Sequence, residues 1–147
     1  MEKIIQTALD LAKKAFDSGE TPVGAVIFDT KTKKILCSAH NLTEQDNDPT
    51  AHAEILAIRK AGKLLGNTNL SGYSLFVTLE PCSMCAAAIA WAKLDNVYFG
   101  AYDVKSGGVE HGAKMFTYTH HKPNVFGGFH ETECANLMSN FFENLRK

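Results

Sequence analysis

The stretch Tyr73-Ser74-Leu75-Phe76-Val77-Thr78-Leu79-Glu80-Pro81-Cys82-Ser83-Met84-Cys85-Ala86-Ala87-Ala88-Ile89-Ala90-Trp91-Ala92 joins two elements through a short turn. Residues 73–79 are uncharged, β-branched and aromatic, which predicts a strand buried on both faces. Pro81 falls where a helix start has no use for an N–H. Residues 83–92 are small and apolar, which predicts a helix. A doubly covered strand followed at once by a helix is the unit of a layered α/β domain.

The flanking sequence extends the pattern. Residues 2–17 place Ile4, Ala8, Leu11, Ala12 and Ala15 at helical spacing, and Ser18-Gly19 ends the run. Residues 23–28 and 35–39 are apolar runs around the polar turn 29–34, which predicts a β-hairpin. A second helix is expected from Thr50, as its N-cap, to Gly62 or Leu65. Residues 97–101 predict a further strand. Residues 102–130 are Gly-rich and irregular, with a short fifth strand expected among them. Residues 131–145 predict a last helix that presents Cys134, Leu137, Met138, Phe141 and Leu145 on one face. This order predicts an α/β fold, a three-layer α-β-α sandwich around a mixed five-stranded sheet, as one domain over 1–147.

Composition narrows the function. The chain has 147 residues, 45% hydrophobic and 21% charged, with 15 Lys+Arg against 16 Asp+Glu. That excludes a disordered chain. The longest apolar run, 86–92, is far short of the roughly 20 residues of a bilayer span, so no membrane partner is expected. The opening Met1-Glu2-Lys3-Ile4-Ile5-Gln6 mixes charged and apolar residues, which predicts no export signal and a cytoplasmic protein. Cys37, Cys82, Cys85 and Cys134 are then expected as free thiols, with Cys37 and Cys134 acting as small buried hydrophobes. A net charge of −1 excludes binding of nucleic acid through bulk charge alone.

Two short segments carry chemistry: His52-Ala53-Glu54 and Pro81-Cys82-Ser83-Met84-Cys85. Both fall where a helix begins. One imidazole and two thiolates suit Zn²⁺. The i, i+3 spacing puts both sulfurs on one face of a turn, and a helix N-terminus favours thiolate. Three ligands leave the fourth tetrahedral position open, as catalytic zinc sites do. His52 and Glu54 converge only if they straddle the helix start. A dithiol redox pair explains Cys82 and Cys85 but not His52 and Glu54. A structural zinc knuckle needs a fourth ligand, with Cys37, Cys134, His40, His111, His120, His121 and His130 as candidates. Glu80 is expected to order the loop before Cys82.

H-x-E followed by P-C-x-x-C is the signature of the zinc nucleobase deaminases. With Thr21-Pro22-Val23-Gly24-Ala25-Val26, Asn41, Asp48-Pro49-Thr50-Ala51, Val77-Thr78-Leu79-Glu80, Phe99-Gly100-Ala101, Glu133-Cys134-Ala135 and Phe141-Phe142, the chain resembles the cytidine-deaminase-like zinc deaminases. Within them it is most similar to the bacterial tRNA-specific adenosine deaminases. The resemblance implies one zinc per subunit on His52, Cys82 and Cys85, with Glu54 as the general acid/base. It places Asn41, Val23 and Ala53 in the substrate pocket. It implies hydrolytic deamination of adenosine to inosine at the wobble position of a tRNA anticodon loop, by zinc-activated water with a glutamate proton shuttle, in a homodimer. The alternative is a free-base or nucleotide deaminase acting on guanine, cytosine or a cytidine nucleotide; a non-catalytic zinc module has no use for Glu54.

Residues 102–130 depart from the family pattern. Residues 111–130 hold no Asp or Glu but do hold Lys114, Lys122, Phe116, Tyr118, Phe126 and Phe129. Placed at the entrance, such residues stack bases and predict a shallow salt dependence of RNA binding.

Overall fold

The computed structural model describes residues 1–145. Its elements follow the order α1 (Glu2–Asp17), β1 (Gly24–Asp29), β2 (Ile35–His40), α2 (Ala53–Leu65), β3 (Tyr73–Leu79), α3 (Ser83–Ala92), β4 (Asn96–Ala101), a 3₁₀ turn at Met115–Thr117, β5 (Asn124–Phe126) and α4 (Glu131–Leu145). The strands form one sheet in the order β2-β1-β3-β4-β5. β1 runs antiparallel to β2 and β3, while β3, β4 and β5 are parallel. The sheet is mixed and five-stranded, as the sequence predicts.

The period-2 alternation of the central strands sorts their side chains to two cores. Ala25, Ile27, Leu75, Val77, Val97 and Phe99 face α2 and α3. Val26, Phe28 and Phe76 face the other way, against Ile4, Ile5, Ala8 and Leu9 of α1 and Cys134 of α4. Helices therefore cover both faces. Of the face expected for α4, Cys134 and Phe141 are buried, while Leu145 is exposed.

α1 lies close enough to β1 that Gly24 is required. A Cβ there would sit 2.0 Å from the Ala8 carbonyl oxygen and 3.1 Å from the Ala12 nitrogen. Both are backbone atoms of a helix and cannot move aside singly. Gly24→Ala is expected to cost about 3 kcal/mol, the upper end for overpacking, seen as a lowered urea midpoint.

The start of α2 differs from expectation. Its N-cap is His52, not Thr50. Thr50 instead donates from N and Oγ1 to Asp48 Oδ1, closing a local turn. α3 is capped by Cys82 in the same extended conformation. Neither cap side chain bonds back to its helix. Two positions that usually carry Ser, Thr, Asp or Asn carry metal-ligand types instead, and each forgoes about 1 kcal/mol of capping.

Candidate active site

The carboxyl end of β3, the start of β1 and the end of β2 meet at one end of the sheet, where α2 and α3 begin. Ligands of α/β sheets bind at such an edge. A cavity of about 180 Å³ opens there, lined by Thr21, Val23, Asn41, Thr43, His52, Ala53, Glu54, Leu79, Glu80, Cys82, Asp103 and Ser106. It is smaller than the 300–1,000 Å³ typical of drug-sized ligand sites, and so on the scale of one nucleobase.

His52 Nδ1 lies 3.7 Å from Cys82 Sγ and 3.5 Å from Cys85 Sγ. Zn–N and Zn–S bonds of tetrahedral zinc place N and S about 3.6 Å apart. The group is therefore placed to bind a metal ion, and its soft donors fit zinc. Among the described residues no fourth His, Cys, Asp or Glu joins it. A structural knuckle would need such a fourth ligand, and two of the three, His52 and Cys82, line the cavity. Cys37, by contrast, gives its thiol to the Ala57 carbonyl, and Cys134 is buried against β4.

Charge in the metal-free site is set by these contacts. The Cys85 thiol, donating to Cys82, holds the Cys82 sulfur down at about 4, against burial and with help from His52. The same bond pushes Cys85 up. The pair thus favours a thiolate on Cys82, the N-cap of α3, where the helix dipole also favours it.

Glu54 is the second residue of α2 and His52 is its extended N-cap, so the two do straddle the helix start. That geometry lets an i, i+2 pair face one cavity. Glu54 is only 4% exposed, and burial pushes its carboxyl up to about 7. A folded value above the ordinary 4.5 favours the folded state while the group is protonated, and that support is lost as pH rises through about 7. Metal-free Glu54→Gln is expected to gain stability relative to the parent between pH 4 and pH 8, because only the parent must bury a carboxylate as pH rises. Urea titrations of the chelator-treated proteins at the two pH values check this.

Val23 and Ala53 form apolar wall. Asn41 both lines the cavity and anchors its rim. Its Nδ2 donates to Glu20 Oε1 at 3.3 Å and Thr43 Oγ1 at 3.0 Å, which leaves the amide oxygen uncommitted toward the cavity. Glu20 was not singled out from the sequence. It is 1% exposed and accepts from the backbone N–H groups of Glu44 and Gln45, so it fastens the loop that follows Asn41. An isolated Glu after a helix carries no pattern that reveals this.

Glu80 also differs from expectation. It orders not the loop before Cys82 but the segment after β4. Its Oε1 accepts from Asp103 N and His111 Nδ1, and its Oε2 from the N–H groups of Val109, Glu110 and His111. Burial alone would raise this carboxyl, but the donors from Asp103 and His111 outweigh it and hold it below its usual range.

The aromatic entrance expected from residues 111–130 is not formed. None of them lines the cavity; from the stretch 102–130 only Asp103 and Ser106 do. Phe126 stacks on Tyr98, and Phe129 packs edge-on to Phe76 and Tyr98. Lys122 spends its ammonium on the carbonyls of Phe116, Thr117 and Thr119. These residues seal β5 and the 3₁₀ turn onto the sheet, so the shallow salt dependence loses its structural basis.

A layered α/β fold with a His-Cys-Cys group and a buried Glu at the start of two helices defines a class. Residues 1–101 match the cytidine and deoxycytidylate deaminase zinc-binding region, and the chain belongs to this family of zinc-dependent deaminases. It is 42% identical over 144 residues to a Rickettsia bellii protein named tRNA-specific adenosine deaminase, covering 97% of this chain and 99% of that one. The Bacillus subtilis protein of the same name is 41% identical over 99% of this chain and 91% of its own. A structure from work on A-to-I editing by tRNA:A34 deaminases at the wobble position of transfer RNA superposes with a TM-score of 0.89 at 42% identity, covering 93% of this chain and 99% of that one. A guanine deaminase from Nitrosomonas europaea shares the fold, with a TM-score of 0.84 at 19% identity, covering 95% of this chain and 83% of that one. Among the described residues no helix is long and apolar enough to cross a membrane.

Proposed function

We propose that the chain is a tRNA adenosine deaminase that converts adenosine to inosine at the wobble position. The observation that carries this is the metal-binding triangle with Glu54 buried beside it in a cavity of one-base size. The full-length similarity to proteins named for that activity supports the RNA substrate.

His52, Cys82 and Cys85 hold the metal. Zinc there supplies Lewis acidity that makes water a nucleophile near neutral pH. Glu54 takes one proton from the attacking water and delivers it to the ring nitrogen, then takes the proton of the new C6 hydroxyl and delivers it to the leaving amino group. The C6–O bond forms, the C6–N bond breaks, and ammonia leaves. Val23 and Ala53 confine the base, and the free oxygen of Asn41 accepts a donor from the nucleoside. An anticodon-loop base is already unpaired and enters at modest cost.

A second observation favours RNA over a free base. Lys14, Arg59, Lys60, Lys63 and His40 line a groove of about 410 Å³ that reaches Leu42, next to Asn41. Arg59 alone of the four Lys and Arg side chains meets a carboxylate, Asp48 at 4.0 Å. The net charge of −1 therefore conceals a local cationic surface suited to phosphates.

The protein works in the cytoplasm as a homodimer. The exposed Trp91 of α3 and Tyr118 flank a further cavity of about 580 Å³, an apolar face suited to a second copy. Sedimentation as a dimer tests this. Ammonia release from an anticodon stem-loop carrying adenosine, with none from guanine, cytosine or cytidine nucleotides, tests the substrate. The reverse result assigns the chain to the free-base or nucleotide enzymes.

A further inference from the structure

We infer that Glu80 is a positioning residue that holds the wall of the substrate cavity and ties it to the turn presenting Cys82. This rests on the deaminase reading above and deepens it.

The Glu80 side chain is wholly shielded from solvent, yet among the described residues no Lys or Arg pairs with it. Its partners are five donors from one segment: the N–H groups of Asp103, Val109, Glu110 and His111, at 2.9–3.2 Å, and the His111 ring at 2.8 Å. A buried carboxylate that accepts only from one loop folds that loop around itself. The loop it folds delivers Asp103 and Ser106 to the cavity.

The clamp is tight on both sides. A Cβ on Gly107 would fall 2.4 Å from the Asp103 carbonyl oxygen and 2.5 Å from Glu80 Oε2. A Cβ on Gly108 would fall 2.4 Å from Ser83 N, at the first turn of α3. Gly108 N also donates to the Pro81 carbonyl at 2.8 Å. The loop is thus pinned between Glu80 and the turn that carries Cys82. Glu80 is outside the metal-binding group, and its carboxylate is committed to this loop. Without it, the wall must be ordered anew at each binding event, and that lost conformational entropy is read as weaker substrate binding.

All five partners are donors, so an amide cannot replace the carboxylate. In Glu80→Gln the NH₂ group must oppose backbone N–H groups. The expected result is a KM for the anticodon stem-loop raised about tenfold or more, kcat changed little, and zinc retained at one per chain. Gly107→Ala keeps the Glu80 carboxylate in the sequence, but its Cβ crowds both that carboxylate and the Asp103 carbonyl and so loosens the clamp, and it is expected to show the same split. Hydrogen exchange at the amides of 103, 109, 110 and 111 is expected to quicken in Glu80→Gln, with α1 and β1 still protected. The inference is overturned if KM is unchanged in both variants, if the loss lies in kcat and follows zinc content, or if those four amides stay protected. If the parent protein acts on no RNA, the proposed function fails, while the exchange pattern still decides the role of Glu80.

Discussion

Glu54→Gln should retain zinc and lose turnover by about 10³-fold or more, within the range that a positioned acid/base contributes. Glutamine keeps the shape and the position at the start of α2 but cannot carry a proton. The burial that leaves Glu54 only 4% exposed does two things. It shields proton transfer from bulk water, and it disfavours the charged carboxylate, which pushes the carboxyl up in the metal-free site. The metal ligands lie on His52, Cys82 and Cys85, so the substitution leaves them intact. Zinc measured by atomic emission, alongside single-turnover inosine formation, separates the two effects. Substantial activity in the zinc-loaded variant contradicts the role assigned to Glu54.

The second large effect is expected from the ligands. Cys82→Ala removes the sulfur whose titration Cys85 and His52 shift down, toward the thiolate that binds metal. The remaining pair, His52 and Cys85, cannot complete a three-ligand catalytic site. Zinc content should fall from one per chain to near zero and activity to background. His52→Ala should do the same. Thermal stability should fall with the metal, because a ligand bound only to the folded state stabilises it. Full zinc content in either purified variant contradicts the ligand assignment.

Much of this was legible from particular residues. Residues 73–92 read as strand, turn and helix because Tyr73–Leu79 is apolar on both faces and Pro81 marks the break. The ligand set was legible because His52 and the Cys82–Cys85 pair sit in spaced motifs. The start of α2 was misplaced for a physical reason. Thr50 has the ordinary N-cap chemistry, but the true cap, His52, directs its side chain to the ligand group and makes no cap bond. Glu20 and Glu80 were beyond reach or misjudged for one shared reason. Each accepts from backbone N–H groups distant in sequence, and backbone donors leave no mark on residue type. The aromatics of 111–130 were misassigned because stacking on Tyr98 and stacking on a base ask for the same side chains. Composition does not say which partner a ring meets.

The near-neutral charge gains a different meaning from the structure. It does not weigh against RNA once the cations are located, since Lys14, Arg59, Lys60 and Lys63 gather along one groove beside the cavity rim.

The central claim is that this chain deaminates a wobble adenosine in tRNA. The direct measurement is sequencing of a tRNA pool, rich in adenosine at the first anticodon position, before and after incubation with zinc-loaded protein. Adenosine is expected to become inosine, read as guanosine, at that position and nowhere else, with no change from Glu54→Gln. An unchanged pool, together with ammonia released from a free base or nucleotide, contradicts it.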